Sequence, residues 1–162
     1  MSNDLKFKIS HKVTEDNSSN FTIKPLDRGY GITVGNSLRR ALLTAVPGAA
    51  ITNVKIEGAH HEFSTIDGVT EDVADVIMNL KGVRFHLFES SVEPIFLKVK
   101  GPKAFTAADI QAASDDFTIL NPDLYITDIA KGTTLEVELR LGIGKGYKSS
   151  DENKLNNSPV GM

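Results

Sequence analysis

Between Thr134 and Leu141 every second residue is aliphatic: Leu135, Val137, Leu139 and Leu141 alternate with Glu136, Glu138 and Arg140. Successive side chains of an extended chain point to opposite faces, so a period of two predicts a strand with one face in a core and one in water. Several other segments carry the same signature: Leu5, Phe7 and Ile9; Phe21 and Ile23 before Pro25; Val54 and Ile56, ended by Gly58. Val83, Phe85 and Leu87 alternate too, as do Ile95, Leu97 and Val99, and Phe117 to Leu120 and Tyr125 to Ile129 read as short strands. Polar, turn-rich Glu15 to Asn20 predicts a hairpin between the first two strands, and the short polar segment ending at Pro94 predicts a second.

Two segments break this rhythm with helical spacing. After the paired glycines of Asp27-Arg28-Gly29-Tyr30-Gly31, a loop signal, Thr33 is positioned as a cap. Val34, Leu38, Ala41, Leu42 and Ala45 follow, until Pro47-Gly48 stops the run. Val69, Val73, Val76, Ile77 and Leu80 define a second amphipathic helix stopped by Gly82. Thr106 to Ile110 reads as a turn or a single helical turn, and Ser149 to Pro159 as a loop. Two helices among about nine strands give an α+β fold with a mainly antiparallel sheet.

A chain of 162 residues, 40% hydrophobic and 24% charged, can bury a core of its own. The longest uncharged apolar stretch, Ala41 to Ile51, is broken by Pro47-Gly48 and falls short of the roughly 20 residues a membrane-spanning helix needs. Met1 to Lys8 alternates charged and apolar side chains, so no secretory signal is expected. Having no cysteine, the chain forms no disulfide, thiol nucleophile or cysteine metal site, in keeping with a reducing cytoplasm. The net charge of −3 is too acidic for a protein that coats nucleic acid. Residues 1–50 nevertheless carry +3 and residues 51–162 carry −6, an asymmetry that suits either two surfaces with different partners or ordinary solvated scatter.

The sequence offers little catalytic chemistry. Gly142-Ile143-Gly144-Lys145-Gly146-Tyr147-Lys148-Ser149 follows a strand like a phosphate loop, and a small-ligand or nucleotide-binding enzyme using the Gly142–Gly146 turn is the alternative reading. Tyr147, however, stands where that motif needs the glycine that directly precedes the lysine and serine, here Lys148 and Ser149. His60-His61-Glu62 is the one histidine cluster, and neighbours on a strand face opposite ways, so they cannot share a metal without a bulge. Asp115-Asp116 and Glu71-Asp72 read as turn and helix-start acids. There is no triad and no paired-carboxylate site, and no metal or cofactor is expected.

The helices say more. At ~100° per residue, Ala41, Val34, Ala45, Leu38, Leu42 and Val46 share one arc. Leu43 falls outside it, beside Arg39, Asn36 and Arg40, and leucine among arginines is what a protein interface uses. In the second helix Met78 lies opposite the valine stripe, and Lys81 closes the helix.

The decisive strings are Pro25-Leu26-Asp27-Arg28-Gly29-Tyr30-Gly31, Gly35-Asn36-Ser37-Leu38-Arg39-Arg40-Ala41-Leu42-Leu43 and His61-Glu62-Phe63-Ser64-Thr65. Asn79-Leu80-Lys81-Gly82, Thr106-Ala107-Ala108-Asp109-Ile110 and Gly144-Lys145-Gly146-Tyr147 accompany them in order. Together, from about residue 20 onward, they resemble the amino-terminal domain of bacterial RNA polymerase alpha subunits. The resemblance implies a non-catalytic scaffold of a nucleotidyltransferase complex: two alpha chains dimerise and recruit the beta and beta-prime subunits for transcription. It implies that residues 1–47 open the dimerisation subdomain and 48–162 form an inserted assembly subdomain. It further implies a dimerisation helix bearing Gly35, Asn36, Leu38, Arg39 and Leu42, beta-subunit contacts at Arg40, Leu43 and Lys81, and beta-prime contacts at Gly144, Lys145, Gly146 and Tyr147. Lys148-Ser149-Ser150 departs from the family pattern. Because the family continues beyond the equivalent of Met162 with further strands, a long helix and a DNA-binding domain, the ending Val160-Gly161-Met162 is expected to mark an engineered or truncated fragment. No DNA binding of its own and no membrane contact are expected.

Overall fold

The computed structural model describes residues 7–15, 18–88 and 93–153, and the chain divides into two compact units, Met1–Ala45 and Val46–Met162. Leu5 and residues 154–162, including the last part of the expected loop and Val160-Gly161-Met162, lie outside the described residues.

The first unit begins with a hairpin of β1 (Lys8–Glu15) and β2 (Ser18–Lys24). Its strands run further into the polar segment than expected, because backbone pairing there asks nothing of the side chains. Ile9 pairs with Ile23 and His11 with Phe21, whose rings stack at 4.7 Å. The period of two therefore separates a face of Ile9, His11, Val13, Phe21 and Ile23 from a face bearing Lys8, Lys12 and Lys24. Gly29, at φ 91°, turns the chain, and the Tyr30 N–H bonds to the Asp27 carbonyl at 3.1 Å to start α1 (Tyr30–Ala45). The helix thus begins before Thr33, which is not its cap. Thr33 lies one turn inside, where its carbonyl accepts the Ser37 hydroxyl at 2.9 Å.

In the second unit the sequence expected to halt the helix, Pro47-Gly48, also opens β3 (Pro47–Ile56). Proline is tolerated there because the first residue of a strand can do without its N–H. The remaining elements are α2 (Val73–Leu80), β4 (Phe85–Leu87), β5 (Ile95–Lys100), β6 (Lys103–Thr106), α3 (Ala107–Gln111), β7 (Phe117–Ile119), β8 (Tyr125–Ile129), β9 (Thr134–Lys145) and α4 (Ser150–Asn153). Five strands form an antiparallel sheet in the order β5-β9-β3-β4-β7, and β6 pairs with β8 as a separate ribbon.

The expected second hairpin does not form. β4 lies between β3 and β7, whereas β5 pairs with β9 at the far edge. Alternation gives each strand a buried face but does not choose its neighbour, and here the closest strands in sequence are separated by two others. Val69 pairs with Ile129 as an isolated bridge instead of joining α2. The helix starts after Asp72, whose carboxylate accepts the Asp75 N–H at 2.8 Å, satisfying one of the donors that a helix start leaves unpaired. Ser150–Asn153 is a short helix within the expected loop.

One apolar cluster holds this unit together. In β5 the residues Ile95, Leu97 and Val99 are buried and Phe96, Lys98 and Lys100 are exposed. In β9 Leu135, Val137 and Leu139 are buried. They join Ile56 of β3, Val73, Val76 and Leu80 of α2, Ile110 of α3, and Phe105, Phe117 and Ile126. On the outer face Lys98 lies opposite Glu136 and forms an ion pair at 2.5 Å, worth little in water.

Candidate assembly surface

The helix α1 carries Arg39 and Arg40 without a single acid. No residue of it is buried. The apolar arc and Leu43 outside it are alike uncovered: Leu38 is 46% exposed, and Leu42 and Leu43 are 66% and 64% exposed. Gly35, Asn36, Arg39 and Arg40 are exposed as well. Arg40 and Leu43 are three residues apart, neighbours along one side of the helix. The only side-chain hydrogen bonds α1 makes among the described residues are local, from Ser37 and Thr44 to carbonyls one turn back. The helix therefore offers apolar area, two cations and no carboxylate, the composition of a surface awaiting an acidic and apolar partner.

Lys81 belongs to the second unit, where it caps α2 and is exposed. The turn that carries it is bonded on both sides. Asn79 Nδ2 donates to the Ile126 carbonyl at 2.9 Å. Asn121 donates to the Gly82 carbonyl at 3.0 Å and accepts the Arg84 N–H at 2.8 Å. Asn121 was not singled out from sequence; the Asn121-Pro122 dipeptide signals a turn but not which turn it closes.

Gly144 and Lys145 lie at the end of β9, opposite Gly48 and Pro47 of β3. Gly146, at φ 63°, ends the strand, and Tyr147 beyond it is 87% exposed. The strand continues past Leu141, so Gly142 and Gly144 are ladder residues and do not form the glycine-rich turn that a phosphate would need. A Cβ on Gly142 would lie 2.8 Å from Thr52 Cγ2, so close packing against β3 is the physical use of that glycine.

His60, His61 and Glu62 fall in an exposed turn, closed by the Ser64 hydroxyl, which accepts the His61 N–H at 3.1 Å and donates to the His61 carbonyl. Among the described residues no three His, Asp or Glu side chains converge as a metal-ligand set. No described helix is long and apolar enough to cross a membrane. Glu71, read from sequence as a helix-start acid, is more specifically placed. It accepts the Tyr125 hydroxyl at 2.8 Å, the Thr127 hydroxyl at 2.5 Å and the Asp128 N–H at 3.2 Å. Desolvation pushes its carboxyl up, but the bonds from Thr127, Tyr125 and Asp128 together outweigh it and leave the group below the usual range.

Comparison with known proteins places the chain in a family. A family model described as the RNA polymerase Rpb3/RpoA insert domain matches residues 54–162. The chain belongs to the RNA polymerase Rpb3/RpoA insert domain family. The insert-domain match starts within β3 and takes in α2, Lys81 and the end of β9. Curated relatives extend the similarity to the first unit. A protein of Salinibacter ruber named DNA-directed RNA polymerase subunit alpha is 50% identical over 147 residues, 91% of this chain and 45% of the relative. One of the same name from Limosilactobacillus reuteri is 51% identical over 145 residues, 89% of this chain and 46% of the relative. A third, from Chlorobium limicola, is 44% identical over 157 residues, 97% of this chain and 48% of the relative. The chain spans a little under half the length of the curated relatives it matches.

Proposed function

We propose that this chain works as part of an alpha subunit of DNA-directed RNA polymerase, a non-catalytic scaffold that pairs with a second alpha chain and docks the beta and beta-prime subunits in the cytoplasm. The observation that carries this reading is α1: an amphipathic helix of 16 residues with none buried. Leaving that much apolar area in water is unfavourable by roughly 25 cal/mol per Å², and an assembly partner removes the cost. Residues 1–47 then serve dimerisation, with Gly35, Asn36, Leu38, Arg39 and Leu42 on the helix concerned, and 48–162 serve assembly. Arg40 and Leu43 meet the beta subunit together with Lys81. An always-charged planar guanidinium next to an apolar anchor suits bidentate bonding to a carboxylate where water is excluded. Gly144, Lys145, Gly146 and Tyr147 face the beta-prime subunit, where the exposed Tyr147 ring supplies contact area at small entropic cost.

Reconstitution tests this. The chain is expected to co-purify with the two large subunits and to give no saturable heat with nucleoside triphosphates. Failure to associate with either large subunit, together with nucleotide binding, would overturn the scaffold reading in favour of a ligand-binding one.

A further inference from the structure

The Lys81 side chain is the mobile end of a main chain that is fixed at several points. Its own N–H donates to the Ile77 carbonyl at 3.0 Å, and the Gly82 N–H donates to the Asn79 carbonyl at 2.9 Å. Ahead of it, Asn79 ties the last turn of α2 to β8. Behind it, Asn121 spans the turn, with Nδ2 on the Gly82 carbonyl and Oδ1 on the Arg84 N–H, so that one amide serves a donor and an acceptor two residues apart. Gly82 completes the closure. A Cβ there would lie 3.1 Å from the Asn79 carbonyl oxygen and 3.3 Å from Leu124 Cδ2, so the turn presses on the segment that follows Asn121. Lys81 remains exposed and forms no ion pair among the described residues.

We infer that Asn121 is a positioning residue for Lys81, holding the turn 81–84 in advance so that the ammonium meets a carboxylate of the docking partner without the main chain having to order on binding. The inference rests on the assembly reading and adds to it a residue distant in sequence, on the connection from β7 to β8. A lysine has a long flexible stem, so docking entropy is saved only if its Cα is already placed. Asn121 bonds to Gly82 and Arg84, both just after Lys81, and both residues are exposed, so their backbone groups can turn to water if the amide is removed. The fold then stands while the preorganisation is lost.

The experiment is a double-mutant cycle in the intact alpha subunit, read as affinity for purified beta subunit, with melting temperature alongside. Lys81→Ala is expected to weaken docking about tenfold. Asn121→Ala is expected to weaken it about threefold to fivefold in the wild-type background and to have no further effect on top of Lys81→Ala, because the two act as one unit. Asn121→Ser, whose shorter side chain cannot reach both groups, is the milder second variant and is expected to show the same coupling. An equal loss from Asn121→Ala in both backgrounds would make Asn121 merely structural and overturn the inference, as would full affinity in the single variant. Loss of affinity in neither Lys81→Ala nor Arg40→Ala would instead count against the assembly reading itself.

Discussion

Glu71 and Thr127 are joined at 2.5 Å, the threonine hydroxyl donating to the carboxylate from a side chain with no exposed surface. Thr127 is the one fully buried polar residue among those described, and Glu71 stands just ahead of α2, so the bond fastens the helix start to β8. Desolvation raises the Glu71 carboxyl, but hydrogen bonds from Thr127, Tyr125 and Asp128 outweigh it and hold the pKa below its ordinary value of 4.5. The bond network therefore stabilises the fold fully above about pH 4.5, and that contribution is lost as pH falls through the lower folded-state value. In an acid titration of stability, Glu71→Gln should flatten this limb. At neutral pH Glu71→Ala should cost about 1–3 kcal/mol, because it leaves the Thr127 hydroxyl buried without a partner. Unchanged stability in Glu71→Ala would show that the bond is incidental.

The same carboxylate acts on Tyr125. Desolvation, then the bond to Glu71, raise the phenol above its ordinary value of 10. An ultraviolet titration should show Tyr125 ionising above the ordinary value of 10, and Glu71→Gln should bring it down. An unchanged Tyr125 titration in Glu71→Gln would contradict this.

Gly101 is required by backbone approach. A Cβ there would lie 2.1 Å from the Ala130 carbonyl oxygen, and main chain cannot step aside as a flexible side chain can. Gly101→Ala should destabilise the second unit by about 3 kcal/mol or more. Gly48, with nothing within 4 Å of its added Cβ, is the matched control, and its alanine variant should be nearly neutral. Equal melting temperatures for the two variants would refute the packing argument.

Protection should differ between the units. Among the described residues the second has 19 buried apolar side chains in one cluster, whereas α1 has none, and local opening is easiest where little is buried. Hydrogen exchange of the isolated chain should be fast over 18–45 and slow over β3, β5 and β9. Strong protection of α1 in a monomeric sample would mean that its apolar side is covered without a partner.

How much of this was legible in the sequence follows from what each signal measures. Alternation in 134–141 located β9 and its buried face, because a period of two is a property of the strand itself. It could not tell that β9 lies between β3 and β5, since partner choice depends on residues far apart in the chain. The helical spacing locates α1 and its apolar side but not that this side is left uncovered, because periodicity reports an apolar side and not what covers it. Lys81 was visible as the closing cation of a helix. Asn121 was not, because its two bonds reach back 37 and 39 residues and leave no local pattern. The glycines at 142 and 144 looked like a loop motif until pairing with β3 placed them in a strand.

Arg40 offers the most direct test of the assembly account. It is exposed on a helix with no buried residue, so Arg40→Ala should leave the melting temperature nearly unchanged. If its guanidinium pairs with a carboxylate at a desolvated interface, the same change should weaken beta-subunit docking by several kcal/mol. The measurement is the affinity of the intact alpha subunit for purified beta subunit, wild type against Arg40→Ala, beside thermal unfolding of both. The account predicts docking reduced at least a hundredfold with melting unaltered. Wild-type affinity in the variant would contradict it.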